Sequence, residues 1–256
     1  MGVYTTEIAS DTISSDNPIH QRLLKAYYVA CDFVKGNMLE IGCGEGRGVD
    51  LLQNLVENYT AIDKIQEVTD KLSEEHPEAT FKQMVIPPID FKDNEFESII
   101  SFQVIEHVKD DSKYLEEIAR IMKPGGVALI TTPNIKMSLS RNPWHIREYT
   151  ADQLEELCKP FFSKVEIKGI TGNDKVMQYY EENKRSVEKL MRFDVFNLQH
   201  KLPAAVLKIP YEIMNRLNRN KLQSNDNSLV ASITHDDYLV SENADQSLDL
   251  LAVLTC

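Results

Sequence analysis

A run of glycines between a short apolar segment and a helix is the feature that most constrains the fold of this chain. Residues 40–48 read Glu-Ile-Gly-Cys-Gly-Glu-Gly-Arg-Gly and overlap the apolar segment 38–41. Glycine lets the backbone turn sharply and approach a ligand closely, as a strand-to-helix turn at a ligand site requires. A Gly-x-Gly-x-x-Gly dinucleotide fingerprint would place its third glycine at Arg47, so a nicotinamide dehydrogenase is disfavoured.

Segments with strand-like spacing alternate with segments that have helical spacing. The predicted strands are residues 38–41, 59–62, 81–85, 98–102, 127–131, 162–171 and 248–256. Helices are predicted at about 19–34, from 49, at 66–75, at 113–122 and from 150. This alternation favours βα units and a parallel sheet. We therefore predict an α/β fold with a doubly wound, Rossmann-like sheet.

About fifty residues before the last predicted strand have helical spacing, with breaks expected near Pro203 and at Pro210. We predict a single domain over residues 1–256, with a helical insertion at 173–228 that serves as a substrate lid. Its apolar face comprises Val176, Tyr179, Tyr180, Val187, Leu190 and Met191. Its cationic face comprises Lys184, Arg185, Lys189 and Arg192. The alternative to a lid is ordinary core packing with a solvated back, and residues 202–222 are apolar enough to touch a membrane surface.

The net charge and the cysteine content limit the kinds of binding partner that the chain can have. The formal net charge is −12, and nucleic-acid affinity depends largely on neutralised phosphates, so nucleic acid is disfavoured as a partner. No Cys-x-x-Cys pair is present, so no metal site is predicted. Residues 1–16 lack an apolar signal core, and no apolar run is long enough to span a membrane. We predict a cytoplasmic protein without stable membrane association, and the oligomeric state stays open.

An acid follows the glycine run at the place where nucleoside-binding folds use one. Asp63 ends the second predicted strand, and an acid at this position accepts hydrogen bonds from a ribose diol. Further segments in register with this arrangement are 91–101, 104–108, 122–126 and 131–134. Together these motifs resemble those of class I S-adenosylmethionine-dependent methyltransferases of the small-molecule type. The resemblance covers residues 19–162 and the last strand, and it implies a seven-stranded sheet with the last strand antiparallel.

The resemblance also implies a cofactor, S-adenosylmethionine, and the residues that hold it. The backbone of the glycine run would pass under its methionine part, Asp63 would hold the ribose, and Phe102 would lie against the sulfonium. The implied cofactor residues are Glu40, Gly42, Cys43, Gly44, Gly46, Asp63, Lys64, Met84, Val85, Phe102 and Gln103. One position departs from the pattern, because many relatives carry an Asp near the end of the third strand. Met84, Val85 and Ile86 stand there, which indicates apolar packing of the adenine.

Two histidines are candidates for the chemistry of the acceptor. His107 follows the fourth strand, where such sheets bind ligands, and it is the predicted catalytic base. A capping or packing role for His107 is the alternative. His145, Arg147 and Tyr149 belong to a His-x-x-Glu-Tyr segment that resembles one near the substrate of related enzymes, and they are the predicted substrate contacts. The alternative there is a loop pinned by Trp144 and an Arg147–Glu148 surface pair.

We predict an enzyme that transfers a methyl group from S-adenosylmethionine to the oxygen or nitrogen of a small-molecule acceptor. A quinone or lipid-like acceptor is the alternative within the same enzyme class. A non-catalytic cofactor-binding or scaffold protein is the alternative from another class, and loss of turnover with intact cofactor binding would favour it.

Overall fold

A computed structural model describes residues 13–192 and 198–256, and its centre is a mixed sheet. Most of the polar segment 1–16 lies outside the described residues. The strands are β1 (Asn37–Ile41), β2 (Asn58–Asp63), β3 (Thr80–Gln83), β4 (Phe96–Phe102), β5 (Met122–Pro133), β6 (Lys164–Gly172), β7 (Tyr238–Ser241) and β8 (Asp249–Thr255). The helices are α1 (Asn17–Ala30), α2 (Val49–Leu52), α3 (Gln66–Glu75), α4 (Asp111–Ile121), α5 (Ala151–Cys158), α6 (Asp174–Met191), α7 (Leu198–Lys201), α8 (Ala204–Asn225) and α9 (Asn227–Ser232).

The strand order is β3-β2-β1-β4-β5-β8-β6-β7. Strands β1 to β5 are parallel to one another, and β8 runs antiparallel to β5 and β6. The chain order reverses between β1 and β4, so the carboxyl ends of these two strands open the crevice where doubly wound sheets bind ligands. The predicted α/β fold class and its antiparallel last strand are confirmed.

The core lies on both faces of the sheet, because successive residues of a buried strand point to opposite sides. Met38 and Ile100 belong to the apolar cluster on one face, and their neighbours Leu39 and Ile99 belong to the cluster on the other. All four side chains are at most 1% exposed. Burial on both faces explains why these strands read as continuous apolar runs in the sequence.

Two details of the carboxyl-terminal part differ from the sequence-based expectation. The sheet has eight strands rather than seven, since the short strand β7 pairs with β6 and the helices α6–α9 precede it. Helix α8 also continues through Pro210, so the break predicted there was wrong. Proline removes one backbone donor, whose acceptor would be the carbonyl of Val206. Val206 is 57% exposed, and water can satisfy that carbonyl.

Hydrogen bonds fix the first helix against the carboxyl-terminal part of the chain. Pro18 occupies the first turn of α1, where a missing N–H costs nothing. The Asn17 side chain donates to the carbonyls of Val230 (2.8 Å) and Ile233 (2.9 Å). The Tyr238 hydroxyl donates to the Pro18 carbonyl at 2.6 Å. These bonds bring α1 beside α9 and β7. Among the residues that the structure describes, no helix combines the length and hydropathy needed to cross a bilayer.

Candidate functional site

The turn after β1 needs glycine at defined positions. Gly42 has φ +79°, and a Cβ there would lie 2.4 Å from the Val104 side chain. Its N–H donates to the Ile62 carbonyl at 2.8 Å, which joins the turn to β2. Gly44 has φ +50°, and a Cβ there would meet no atom within 4 Å. The backbone of this turn therefore faces open space, as a close approach to a ligand requires.

Asp63 holds the turn from the end of β2. Its Oδ2 accepts a hydrogen bond from the Gly44 N–H, and its Oδ1 accepts one from the Ile65 N–H, each at 3.0 Å. A carboxylate has about four lone-pair sites, so each oxygen keeps acceptor capacity for a ligand. The side chain is half-buried at the rim of a cavity.

That cavity, here called the glycine-turn cavity, lies at the carboxyl ends of β1, β2 and β4 and has a volume of about 360 Å³. Its walls include most of the predicted cofactor residues, namely Gly42, Cys43, Gly44, Asp63, Lys64, Met84, Val85, Phe102 and Gln103. Val85 is 68% exposed and provides, with Met84 and Ile86, an apolar wall where an acid is common in relatives. The structure thus brings these residues together around one space.

Glu40 and Gly46 are the two predicted cofactor residues that do not line this cavity. Glu40 is 1% exposed and accepts hydrogen bonds from the hydroxyls of Tyr27 (2.7 Å) and Tyr59. Burial raises the pKa of Glu40 to about 7, although the two tyrosine hydrogen bonds oppose this shift. At Gly46, φ is +80° and a Cβ would lie 2.4 Å from Leu72. We therefore expect both residues to support the conformation of the glycine turn rather than to contact a ligand.

A second cavity, here called the helix-lined cavity, has a volume of about 260 Å³. It lies between α1, α6, α8 and the segments that follow β4 and β5. Leu23, Gln103 and His107 line both cavities, so the two spaces meet at these side chains. Gln103 has φ +57°, a conformation that is uncommon outside glycine, and its N–H donates to the Thr131 carbonyl at 2.9 Å. Backbone strain of this kind clusters at functional sites.

His107 stands at the junction of the two cavities in a defined orientation. Its Nδ1 lies 3.0 Å from the Trp144 carbonyl, which only accepts hydrogen bonds. The proton of the neutral ring is therefore on Nδ1, and Nε2 is the nitrogen able to accept one. The residue is half-buried. The orientation suits a general base, as the sequence predicts, and the catalytic role itself stays a prediction.

His145 lies against His107 and belongs to a chain of hydrogen bonds. The two rings are 5.0 Å apart in an edge-to-face arrangement. His145 Nδ1 is 2.7 Å from Glu148 Oε1, and its Nε2 is 2.8 Å from Asn142 Nδ2. Asn142 Oδ1 accepts from the Trp144 N–H at 3.0 Å, so the Asn142 amide is a donor to His145. These contacts with Glu148 and Asn142 hold the His145 ring in place beside His107.

Glu106 completes the polar wall beside the two histidines. It is 1% exposed, and its Oε2 accepts from the Thr132 hydroxyl at 3.1 Å. Burial raises the pKa of Glu106 to about 7, against the opposing effect of the neighbouring His145. A carboxyl with such a pKa is a candidate acid or base near neutral pH.

Glu106, His107 and His145 have ligand atoms within 4.8 Å of one another, which is compatible with a metal ion. However, both ring nitrogens of His145 are engaged, by Glu148 and Asn142. A metal ion would have to displace one of these partners. The cluster therefore fits proton transfer better than metal binding.

Arg147 and Tyr149, two predicted substrate contacts, lie outside the helix-lined cavity. Arg147 Nη1 is 2.6 Å from Asp111 Oδ2, and the Tyr149 hydroxyl donates to the same oxygen at 2.9 Å. Tyr149 is 1% exposed and packs in the apolar cluster with α4 and α5. Glu148 pairs with His145 rather than with Arg147, so the alternative Arg147–Glu148 pair is not formed either. Of the three predicted contacts, His145 alone lines the helix-lined cavity.

The wall of the helix-lined cavity also carries residues that sequence reasoning did not assign to it. Arg22 comes from α1, Tyr179 from α6, and Asn218 and Arg219 from α8. The sequence gives these elements no motif, because residues from three distant helices meet only in the fold. Tyr179 alone had a signal, the apolar stripe of α6.

Comparison with known proteins finds a family resemblance over part of the chain. Residues 39–130 match the sequence model of a methyltransferase domain. A probable S-adenosylmethionine-dependent methyltransferase of Mycolicibacterium smegmatis is 33% identical over 135 residues, covering 51% of this chain and 52% of the relative. A ubiquinone biosynthesis O-methyltransferase of Rickettsia conorii is 29% identical over 132 residues, covering 50% and 44%. The chain spans about half the length of the curated relatives it matches.

Solved structures share the fold at low sequence identity. A Thermotoga maritima S-adenosylmethionine-dependent methyltransferase, described as a possible histamine N-methyltransferase, superposes with a TM-score of 0.60 at 13% identity, covering 94% of this chain and 90% of that one. A Haemonchus contortus phosphoethanolamine N-methyltransferase, solved with S-adenosylhomocysteine, has a TM-score of 0.54 at 19% identity, covering 92% and 52%. The predicted resemblance and the Rossmann-like fold are confirmed by these findings together.

Proposed function

We propose that this chain, whose residues 39–130 match the sequence model of a methyltransferase domain, transfers a methyl group from S-adenosylmethionine to an oxygen or nitrogen of a small-molecule acceptor. The observation that carries the proposal is the meeting of the two cavities at Gln103 and His107. One cavity has the residues of the cofactor motifs, and the other has paired histidines and a buried carboxyl. A methyl donor and an acceptor placed in the two cavities would face each other at the junction.

The residues of the glycine-turn cavity fit S-adenosylmethionine. The open backbone at Gly44 offers room for the methionine part, and Asp63 has acceptor capacity for ribose hydroxyls. Met84, Val85 and Ile86 offer an apolar wall for the adenine. When bound, the group supplies an activated methyl on a sulfonium, which leaves mainly alignment and proton transfer to the protein.

The proton of the acceptor is the part of the reaction that this chain must manage. In the proposal, His107 Nε2 accepts that proton while the Trp144 carbonyl holds the ring through Nδ1. Glu106 lies beside His107, and its ionised form would stabilise the positive charge that develops on that ring. The helices α1, α6 and α8 line this side and would shield the junction from water. We propose that helices α6–α9 form the predicted lid over the substrate. We also propose that the chain is a single domain and that the enzyme is cytoplasmic.

A lipid-like acceptor is the second candidate, and one surface favours it. Helix α8 carries an exposed apolar stripe at helical spacing, formed by Val206, Ile209, Ile213 and Leu217, each between 56% and 69% exposed. Some relatives of the chain are ubiquinone biosynthesis O-methyltransferases. A quinone carried in a membrane would meet such a stripe. The charged side chains of Arg22 and Arg219 in the wall of the helix-lined cavity argue against this candidate.

Calorimetric titration with S-adenosylhomocysteine tests the cofactor assignment, with NADH as the comparison ligand. We expect saturable binding of S-adenosylhomocysteine alone. Asp63→Ala should weaken it at least about tenfold, because a carboxylate that accepts hydrogen bonds is lost. Asp70→Ala, which removes an exposed carboxylate from α3, is the matched control and should bind normally. Binding of NADH, or equal affinity in the Asp63 variant, would contradict the assignment.

A further inference from the structure

The helices that line the helix-lined cavity contribute recognition chemistry of their own. Arg22 and Arg219 both line it, and their side chains are 25% and 14% exposed. Tyr179 lies within reach of both charges. Burial raises the pKa of Tyr179, and the guanidinium groups of Arg219 and Arg22 oppose that rise. Two cations and a phenol therefore line the same cavity, with Tyr179 near both cations.

Both arginines are positioned by buried carboxylates. Arg22 Nε is 3.2 Å from Asp249 Oδ2, and Arg219 Nη1 is 3.1 Å from Asp16 Oδ1. Asp16 is 0% exposed and also accepts two bonds from Arg216, at 2.9 and 3.1 Å. A guanidinium has five N–H donors, so one that binds a carboxylate can present further donors to a ligand. The carboxylates fix the direction in which the two guanidinium groups point.

A buried amide in the wall of the same cavity indicates that a ligand binds there. Asn218 is 7% exposed and lines the helix-lined cavity. Its Nδ2 donates to Asn183 Oδ1 at 2.7 Å, and within residues 13–192 and 198–256 its Oδ1 has no hydrogen-bond partner. A buried amide oxygen without a donor costs free energy. A hydroxyl or amino group of a ligand in the cavity would supply that donor.

We propose that the acceptor is a small polar molecule that carries an oxyanion, bound at Arg219 and Arg22, and beside it a hydroxyl or amino group, bound by Asn218. This inference rests on the proposed function and names its substrate class. The oxyanion end would lie under α6 and α8, and the methylated atom would lie at the His107 end of the same cavity. Carboxylate and phosphate share this chemistry, since a guanidinium binds either with paired hydrogen bonds. A quinone or an uncharged lipid does not satisfy it.

Ligand-observed NMR titration of the protein saturated with S-adenosylhomocysteine tests the proposal. The probes are glycerate (a carboxylate with a hydroxyl), glycerol 3-phosphate (a phosphate with a hydroxyl), propionate (a carboxylate alone) and glycerol (hydroxyls alone). We expect at least one of the first two probes to bind about tenfold or more tightly than glycerol and than propionate. Which of the two binds better identifies the oxyanion as carboxylate or phosphate.

Two variants locate the binding. Arg219→Gln should remove the preference over glycerol, and Asn218→Ala should remove the preference over propionate. Asp16 keeps its two bonds from Arg216 in the first variant, so folding should persist, and thermal unfolding checks this. Arg185→Gln, which removes an exposed arginine from α6, is the control and should change neither preference.

The outcomes separate this proposal from the one on which it rests. Equal binding of glycerol and the oxyanions, no binding of either oxyanion at millimolar concentration, or unchanged preferences in both variants would overturn the substrate class. Failure of S-adenosylhomocysteine to bind the unaltered protein would instead overturn the proposed function.

Discussion

The two cavities that meet at His107 are built in different ways. The glycine-turn cavity comes from short stretches at the ends of neighbouring strands, so its residues follow the order of the chain. The helix-lined cavity draws Arg22 from the first helix, His145 from the middle and Arg219 from near the end. Residues for a cofactor can therefore be recognised from local sequence motifs, whereas the residues around an acceptor are brought together only by tertiary packing. Changes in one cavity should therefore leave the function of the other intact.

The largest expected effect separates turnover from cofactor binding. His107→Ala should lower the rate of methyl transfer by about 10²- to 10⁴-fold, because a general base contributes about that much. S-adenosylhomocysteine affinity should change little, since the imidazole lies at the edge of the glycine-turn cavity. Radiolabelled methyl transfer and calorimetry measure the two quantities. His76→Ala removes a histidine on the other side of the glycine turn and should keep full turnover. Normal transfer by the His107 variant would remove this residue from the chemistry.

The next effect concerns the buried carboxyl beside His107. Glu106 has a pKa of about 7 in the folded protein, raised by burial, against about 4.3 in an unfolded chain. The folded state therefore keeps a proton that the unfolded state loses, and stability falls as the pH rises through this range. Glu106→Gln removes this loss. As the pH rises from about 4 to about 8, the free energy of unfolding of this variant should increase by up to about 3 kcal/mol relative to that of the unaltered protein.

Urea unfolding at a series of pH values measures this difference. The matched control is Glu67→Gln, an exposed glutamate at the start of α3, which should follow the unaltered protein. Glu40 has a similarly raised pKa and contributes equally to all three proteins, so it cancels in the comparison. A pH-independent difference for the Glu106 variant would show that folding does not raise the pKa of this carboxyl.

A smaller effect tests whether cofactor affinity depends on the glycine turn itself rather than on general stability. Gly42→Ala combines φ +79° with a Cβ that would lie 2.4 Å from Val104. Gly125→Ala has φ +75° and no atom within 4 Å, so it shares the backbone strain and lacks the clash. Both variants should lose about 1 to 3 kcal/mol of stability from strain. Only the Gly42 variant should lose about tenfold or more of its S-adenosylhomocysteine affinity, measured by calorimetry. Equal losses of affinity would mean that general destabilisation is the cause.

The smallest expected effect concerns Tyr149, which the sequence assigns to the substrate and the structure places in the core. Tyr149→Phe removes the hydrogen bond to Asp111 and should lower the free energy of unfolding by about 1 kcal/mol. Chemical denaturation measures this loss. Relative transfer rates for different acceptors should be unchanged. A selective loss with one acceptor would return this residue to the substrate site.

The same contrast decides how much of the molecule could be predicted from its sequence. The glycine turn and Asp63 were found because their spacing follows from one strand, one turn and the next strand. The sequence assigns Tyr149 to the substrate, whereas the structure places its side chain in the core. The local pattern could not show which residues of this segment face the core and which face the cavity. Arg22 and Arg219 gave no signal, because nothing local marks two arginines that meet through folding. Pro210 misled because a proline ends a helix only where its lost hydrogen bond cannot be replaced by water.

The central claim is that the two cavities are the donor and acceptor halves of one methyl-transfer site. A crystal structure of the protein with S-adenosylhomocysteine tests it most directly. The account predicts the ribose at Asp63, the adenine against Met84 and Val85, and the sulfur facing Gln103 and His107, open to the helix-lined cavity. A ligand bound elsewhere, or one whose sulfur faces away from His107 and is closed off from that cavity, would contradict the claim.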